Sequence, residues 1–195
     1  MTPARTRARR GEGERLREEI LDVAEDLLVS TGDENAVSIR AIAQRVGVTP
    51  PSIYLHFADK ESLLWAVCER EFGIFDAVLQ AAGATTDDPL EALRRRGEAY
   101  ARFGLEHPEA YRLMFMGRAK EADRHADTID KSGGPAFTHQ VEAVQAAIDA
   151  GALRADTDPL RAAIFLWAGM HGITSSIPAR VIAPRRIGRS SPPRA

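Results

Sequence analysis

The amino-acid sequence predicts an all-α chain, on three observations. Apolar residues recur at three- and four-residue spacing along most of the chain. No run of alternating apolar and polar residues long enough for a strand is present, and no repeat of fixed period is visible. Ser, Thr, Asp and Asp-Pro pairs stand where helices should begin, with Gly or Pro where they should stop.

Taken in order, Leu16, Ile20, Val23, Ala24, Leu27 and Leu28 mark an amphipathic helix over 14–31, closed at Gly32. Ser38 caps a short helix carrying Ile39, Ile42, Ala43 and Val46, which Gly47 ends. A third short helix is expected over 50–56, with Thr49 as its cap and Pro50 at the first helical position, where a missing N–H costs nothing. Asp59 caps a longer helix from Lys60 to about Gln80, and 83–89 reads as a loop. Asp88-Pro89 opens a helix to about Glu106, and His107-Pro108 breaks the chain before another over 109–116. The charged segment 117–130 has no clear pattern, and 131–135 is an interruption. Helical spacing resumes over 136–150 through Phe137, Val141, Val144, Ala147 and Ile148; Gly151 ends it, and Asp158-Pro159 opens a last apolar helix running to at least Ile173.

The chain has 195 residues, 44% hydrophobic and 28% charged, which is ordinary globular composition for one large or two small domains. Its single cysteine, Cys68, lies in an apolar helical pattern and reads as a buried thiol in a reducing compartment. No apolar run reaches the about 20 residues needed to span a bilayer, and the Arg-rich N-terminus lacks the apolar segment of a signal peptide. A cytoplasmic protein with no membrane partner is therefore expected. The net charge is −2 and the pI about 6.2, so bulk charge gives no sign of nucleic-acid binding. Its distribution does: Arg5, Arg7, Arg9 and Arg10 form a basic arm ahead of the acids of the first helix, and such arms add phosphate contacts by releasing counterions.

The informative stretch is SIRAIAQRVGVTPPSIYLHFADK, residues 38–60. Two short helices joined at Gly47 make a helix-turn-helix, in which the first braces the second for the major groove. Ile42, Ala43, Val46, Val48 and Ile53 form the brace. The second presents Thr49, Pro50, Pro51, Ser52, Leu55 and His56, a short neutral set. Apolar atoms there suit thymine methyls, and the Ser52 hydroxyl suits several base edges. With neither Arg nor Asn among them, DNA shape becomes a second source of specificity.

The order Ser38, Ile42, Ala43, Gly47, Val48, Ser52, Ile53, Tyr54, His56, Phe57, Lys60, Leu63, Leu64 resembles the DNA-binding module of the tetracycline-repressor (TetR/AcrR) family of transcriptional regulators. The run Ile53 to Phe57 followed by Lys60 is its most specific part. The resemblance implies phosphate contacts by Tyr54, His56 and Lys60, with Phe57 packed inside; Ser38 and Arg40 are expected to touch the DNA backbone too. A phenol, an imidazole and a lysine at a helix N-terminus are chemically suited to phosphate oxygens.

The resemblance is weaker in the second part, where Trp167 to Ile173 is similar to a Trp/His-Gly element of one TetR subgroup and 107–115 to its short central helix. Relatives enclose a ligand and pair across a two-fold axis there. Tyr100, Phe103, Tyr111, Met114, Phe115, Phe137, Trp167, Met170 and His171 are thus candidates to line a ligand cavity. A filled core is the commoner fate of aromatics at this spacing. His107, His125, His139 and His171 fit no metal-ligand motif, and neither a cofactor fingerprint nor a nucleophile with a base is visible, so no metal, no cofactor and no enzyme activity are expected.

The expected organisation is a basic flexible arm (1–13), a three-helix helix-turn-helix DNA-binding domain (14–60), a larger helical ligand-binding and dimerisation domain (61–174) and a disordered tail (175–195). The tail carries no acid and is rich in Arg, Pro and Ser, a departure from the family pattern of a closing amphipathic helix; a shifted reading frame is one origin for it. The expected function is a ligand-responsive regulator, a repressor acting as a homodimer on a pseudo-palindromic double-stranded DNA operator, with an unknown small-molecule effector. The alternative is a helical DNA-binding or interaction protein without an effector.

Overall fold

The computed structural model describes residues 12–31, 37–115 and 134–176. The described residues form eight helices and no strand: α1 (Glu12–Thr31), α2 (Ile39–Val46), α3 (Pro50–Tyr54), α4 (Lys60–Gly83), α5 (Pro89–Glu106), α6 (Pro108–Phe115), α7 (Gly134–Asp149) and α8 (Pro159–Ser176). The basic arm at Arg5–Arg10, the stop at Gly32, the segment 117–130 with His125, and the tail from 177 lie outside the described residues.

The helix starts follow the caps. Ser38 accepts from the Ala41 N–H at 3.1 Å. Asp59 and Ser62 form a reciprocal box: the Ser62 N–H donates to the Asp59 carboxylate at 2.7 Å, and the Asp59 N–H donates to Ser62 Oγ at 3.1 Å. Asp88 accepts from the N–H groups of Leu90 and Glu91, and Asp158 from that of Arg161.

Several boundaries differ from the sequence expectation for identifiable reasons. α1 begins at Glu12, two residues inside the supposed arm, with Glu12 and Glu14 in a first turn whose dipole favours acids. α3 stops at Tyr54 because the N–H groups of both His56 and Phe57 turn back to the Ile53 carbonyl, at 2.9 and 3.0 Å. Thr49 occupies its cap position without a capping bond, its hydroxyl instead 3.0 Å from Ser52 Oγ. α4 continues through Gly83, where the missing side chain admits Arg96: a Cβ there would stand 3.1 Å from Arg96 Cγ. α6 begins one residue early, α7 two residues early with Pro135 in its first turn, and α8 runs to Ser176.

Two packed regions share α4. Ile20, Leu21, Ala24 and Leu28 of α1 close over Val37, Ile42, Ala43, Ile53 and Phe57, with Leu63, Leu64 and Val67 at the start of α4 beneath them. Farther along, α4 buries Phe75 and Leu79 among Ala99, Tyr100 and Phe103 of α5 and residues of α6. Cys68 is buried, as its pattern predicts. α4 packs against α1 as well as α5, α6 and α7, and so joins the two regions.

Candidate DNA interface and sensor core

The turn between α2 and α3 is fixed by the backbone. Gly47 takes φ +78°, a left-handed conformation that a Cβ disfavours, while the N–H groups of Gly47 and Val48 both bond to the Ala43 carbonyl, at 3.0 and 2.9 Å. Ala43 and Ile53 are buried at the crossing of the two helices, leaving the other face of α3 outward. Leu55 is 84% exposed and Tyr54 52%, the former an unusual exposure for a side chain that gains by burial. Thr49, Pro50 and Pro51 are exposed beside them, and Ser52 and His56 are half-buried.

Ser38 and Arg40 are exposed at the start of α2, and Lys60 is half-buried in the first turn of α4. Neither Arg40 nor Arg45 has an ion pair among the described residues. Phe57 is buried, and the Arg17 guanidinium of α1 lies 5.3 Å from the centre of its ring. The helix-turn-helix thus presents a mixed apolar and hydroxyl ridge on α3, with polar groups from α2 and α4 at its flanks.

Of the residues expected to line a cavity, Tyr100, Tyr111, Phe115, Trp167 and His171 come together where α5, α6 and α8 meet. Tyr111 Oη is 2.7 Å from His171 Nδ1; Tyr100 Oη is 3.1 Å from the same nitrogen and 3.2 Å from Tyr111 Oη. Burial lowers the His171 pKa, favouring a neutral ring whose Nδ1 accepts from a phenol. Burial raises both phenols; for Tyr100 the bond to Tyr111 adds to this and a bond to Trp167 opposes it, and for Tyr111 the bond to Tyr100 opposes it. Trp167, 37% exposed, stacks on His171 with ring centres 5.2 Å apart.

Phe103 is buried nearby against Phe75, and Met114 is buried within α6. Met170 faces Gly97 of α5, where a Cβ would stand 3.0 Å from its sulfur. Phe137, half-buried in the first turn of α7, is not among the rings in mutual contact. Phe72 and Phe75 of α4 complete the cluster by edge-on contacts to Phe115 and, for Phe75, to Tyr100 and Phe103. Sequence reasoning missed this pair, although they continue the apolar stripe of α4 toward Leu79. A groove of about 450 Å³ lies elsewhere, on the outer face of α4 and α5 between Thr85, Arg95 and Arg102, and none of the expected lining residues borders it.

Charged groups within the bundle were not foreseen either. Arg96 of α5 is only 3% exposed; its Nε donates to Gln140 at 3.3 Å and one terminal nitrogen to Gln80 at 2.9 Å. Burial lowers its pKa, with Asp76 and Glu142 opposing. Asp76 pairs with His139 of α7 at 2.9 Å. Nothing in the sequence separates these residues from solvated charges at helical spacing. Among the described residues no cluster of three or more His, Cys, Asp or Glu is placed to hold a metal ion, and no helix is long and apolar enough to cross a membrane.

Residues 20–67 match the family of bacterial regulatory proteins described as the tetR family. Residues 93–177 match the tetracyclin repressor-like C-terminal domain. The chain is 33% identical over 99 residues to the HTH-type transcriptional activator FasR of Mycolicibacterium smegmatis; the match covers 51% of this chain and 45% of FasR, so it spans less than half of that relative's length. Among solved structures, a TetR/AcrR-family transcriptional regulator from Thermobifida fusca superposes with a TM-score of 0.67 at 24% identity, over 85% of this chain and 86% of that one. The regulator FadR of Bacillus subtilis, solved with stearoyl-CoA, superposes with a TM-score of 0.70 at 14% identity, over 81% of this chain and 84% of that one.

Proposed function

The chain belongs to the TetR family of transcriptional regulators, and from that premise we propose that it is a ligand-responsive homodimeric repressor of a pseudo-palindromic operator. The single observation that carries the DNA reading is the outward ridge at α3, where Tyr54 is 52% exposed at the end of a helix only five residues long, Leu55 just after it is 84% exposed, and Ile53 anchors the other face. A buried anchor with an exposed apolar tip is what a reading helix needs when it must meet thymine methyls in the major groove.

In this reading Thr49, Pro50, Pro51, Ser52 and Leu55 meet bases. Tyr54, His56 and Lys60 meet phosphates, and Ser38 and Arg40 hold the adjacent backbone. Two copies place their α3 helices in successive major grooves, about 34–36 Å apart. The support for a dimer is α8, which exposes Leu160, Ile164, Phe165, Leu166, Trp167 and Ile173 while burying only Ala163 and Thr174. So large an apolar stripe is suited to a second copy of the same helix.

The effector acts on the region of Tyr100, Tyr111, Phe115, Trp167 and His171. It has an apolar body with a hydrogen-bonding group, the description that stearoyl-CoA in the FadR structure also meets. It works by binding one head separation more tightly than another, with α4 carrying the change to α1. Repression follows when the operator overlaps the promoter; FasR carries the name of an activator, and operator position decides the sign. The dense ring contacts around Tyr100 favour a second reading, a DNA-binding protein with a filled core and no effector.

Footprinting of the purified chain on its own upstream DNA tests the proposal. Two protected half-sites one helical turn apart are expected, and uniform, sequence-independent protection would oppose it. A ligand that raises the melting temperature and releases the footprint selects the first reading over the second.

A further inference from the structure

The start of α1 lies against the turn between α3 and α4. The Arg17 guanidinium stands 5.3 Å from the centre of the Phe57 ring. One helical turn earlier, at Gly13, a Cβ would lie 3.9 Å from His56 Cε1. His56 and Phe57 are fixed at that turn by their N–H bonds to the Ile53 carbonyl, and the Asp59 cap then starts α4 at Lys60. Arg17 therefore sits beside the segment that carries Tyr54, His56 and Lys60, the three side chains proposed to meet phosphates.

The charges around Arg17 leave donors available. α1 holds two basic residues, Arg15 and Arg17, among seven acids. Arg15 is turned to Glu19, its Nε donating at 3.0 Å. Arg17 Nη1 donates to Glu18 at 3.3 Å, and Glu18 is itself shared with Arg70 of α4 at 3.8 Å. Among the described residues, Nε and Nη2 of Arg17 make no hydrogen bond. The Arg17 side chain is 36% exposed, so part of it is open to a ligand. An aromatic face attracts a guanidinium without using up its N–H donors.

We propose that Arg17 is a further DNA-contacting residue, whose guanidinium, steadied on Phe57, binds a backbone phosphate beside those met by Tyr54, His56 and Lys60. The proposal rests on the reading of α1–α3 and the first turn of α4 as the DNA-binding head. A guanidinium offers a phosphate parallel N–H donors, and a side chain already held on a ring loses less freedom when it binds. A phosphate contact carries no sequence information, so Arg17 adds affinity on every duplex while base selection stays with α3. It also gives the acidic helix α1 one cationic point at which to approach DNA.

The test is the salt dependence of binding, followed by fluorescence anisotropy on an upstream fragment and on random duplex, for the parent chain, Arg17→Gln and Arg17→Lys. Each phosphate contact contributes about 0.9 to the steepness of log K against log salt concentration. Arg17→Gln should lose about 0.9 on both duplexes and bind about tenfold less tightly at about 0.1 M salt. Arg17→Lys keeps the charge and should keep the parent steepness. A merely structural role would lower melting temperature and affinity without moving the salt dependence. An unchanged steepness in Arg17→Gln therefore overturns the contact, as does a steepness lost equally in Arg17→Lys. Should Arg17→Gln fail to fold, Arg17→Met, whose unbranched chain still covers Phe57, is read by the same slope and the same criterion. A parent chain that binds no duplex at any salt concentration removes the DNA-binding reading and the contact with it; a parent chain that binds, with its steepness intact in Arg17→Gln, removes the contact alone.

Discussion

Tyr111 Oη and His171 Nδ1 stand 2.7 Å apart and tie the short helix α6 to the last described helix, α8, inside a wall of aromatic rings. Tyr100 closes the triangle from α5. Tyr111→Phe removes the shorter bond and leaves His171 with Tyr100 alone, so the chain should lose about 1–2 kcal/mol. Urea denaturation measures this directly, and unchanged stability would mean that the bond is satisfied equally well by water.

The same triangle sets an acid sensitivity. Burial depresses the His171 pKa, so its contribution to stability is present above the ordinary imidazole range and is lost as pH falls through the folded value. His171→Asn offers an uncharged acceptor near the position of Nδ1. It should flatten the pH dependence of the melting temperature between pH 6.5 and 5. A variant that melts with the same acid slope as the parent would assign that slope to other groups.

At Gly104, α5 lies close against Thr174 of α8. A Cβ built on it would overlap Thr174 Cγ2 and stand 3.0 Å from Tyr111 Cδ2. Gly104→Ala should therefore cost about 1–3 kcal/mol through overpacking, despite alanine's better helix propensity. Adding Thr174→Ser, which deletes the clashing methyl, should recover part of that loss. A double-mutant cycle by thermal denaturation reads the coupling, expected at 0.5 kcal/mol or more.

Fold class, helix order and the helix-turn-helix were legible because each has a local chemical cause. Ser38, Asp59 and Asp88 cap as their types and positions predict, and Gly47 occupies the left-handed conformation that its place between two apolar helices requires. What was not legible depends on distant partners. Gly83, expected to open a loop, is the last residue of α4 and a close approach to Arg96. Arg96 and Glu71 are buried without any sign of it in the sequence, because the spacing of a charge along one helix does not tell which neighbour will cover it. Of the nine residues expected around a ligand, Tyr100, Tyr111, Phe115, Trp167 and His171 meet where α5, α6 and α8 come together, with Phe103 joined to them through Phe75; Phe137, which sits on the helix following a long charged segment, is in none of the ring contacts among the described residues.

The exposed stripe of α8 makes a prediction about assembly. Phe165 is 77% exposed there, in a position suited to burial against a second copy. Phe165→Glu would place a charge in that interface and should convert a dimer to a monomer in sedimentation equilibrium, with the helical content unchanged. A parent chain that is monomeric at all concentrations would remove α8 as the pairing surface.

Fluorescence anisotropy with labelled upstream fragments, at fixed salt, measures whether α3 and the first turn of α4 bind operator DNA. The parent chain should bind one fragment at least about 1,000-fold more tightly than random duplex. Tyr54→Ala combined with Lys60→Ala should lose that preference while melting within a few degrees of the parent. A well-folded parent chain with no preferred fragment, or a double variant that binds as the parent does, would rule out operator binding through α3 and the first turn of α4.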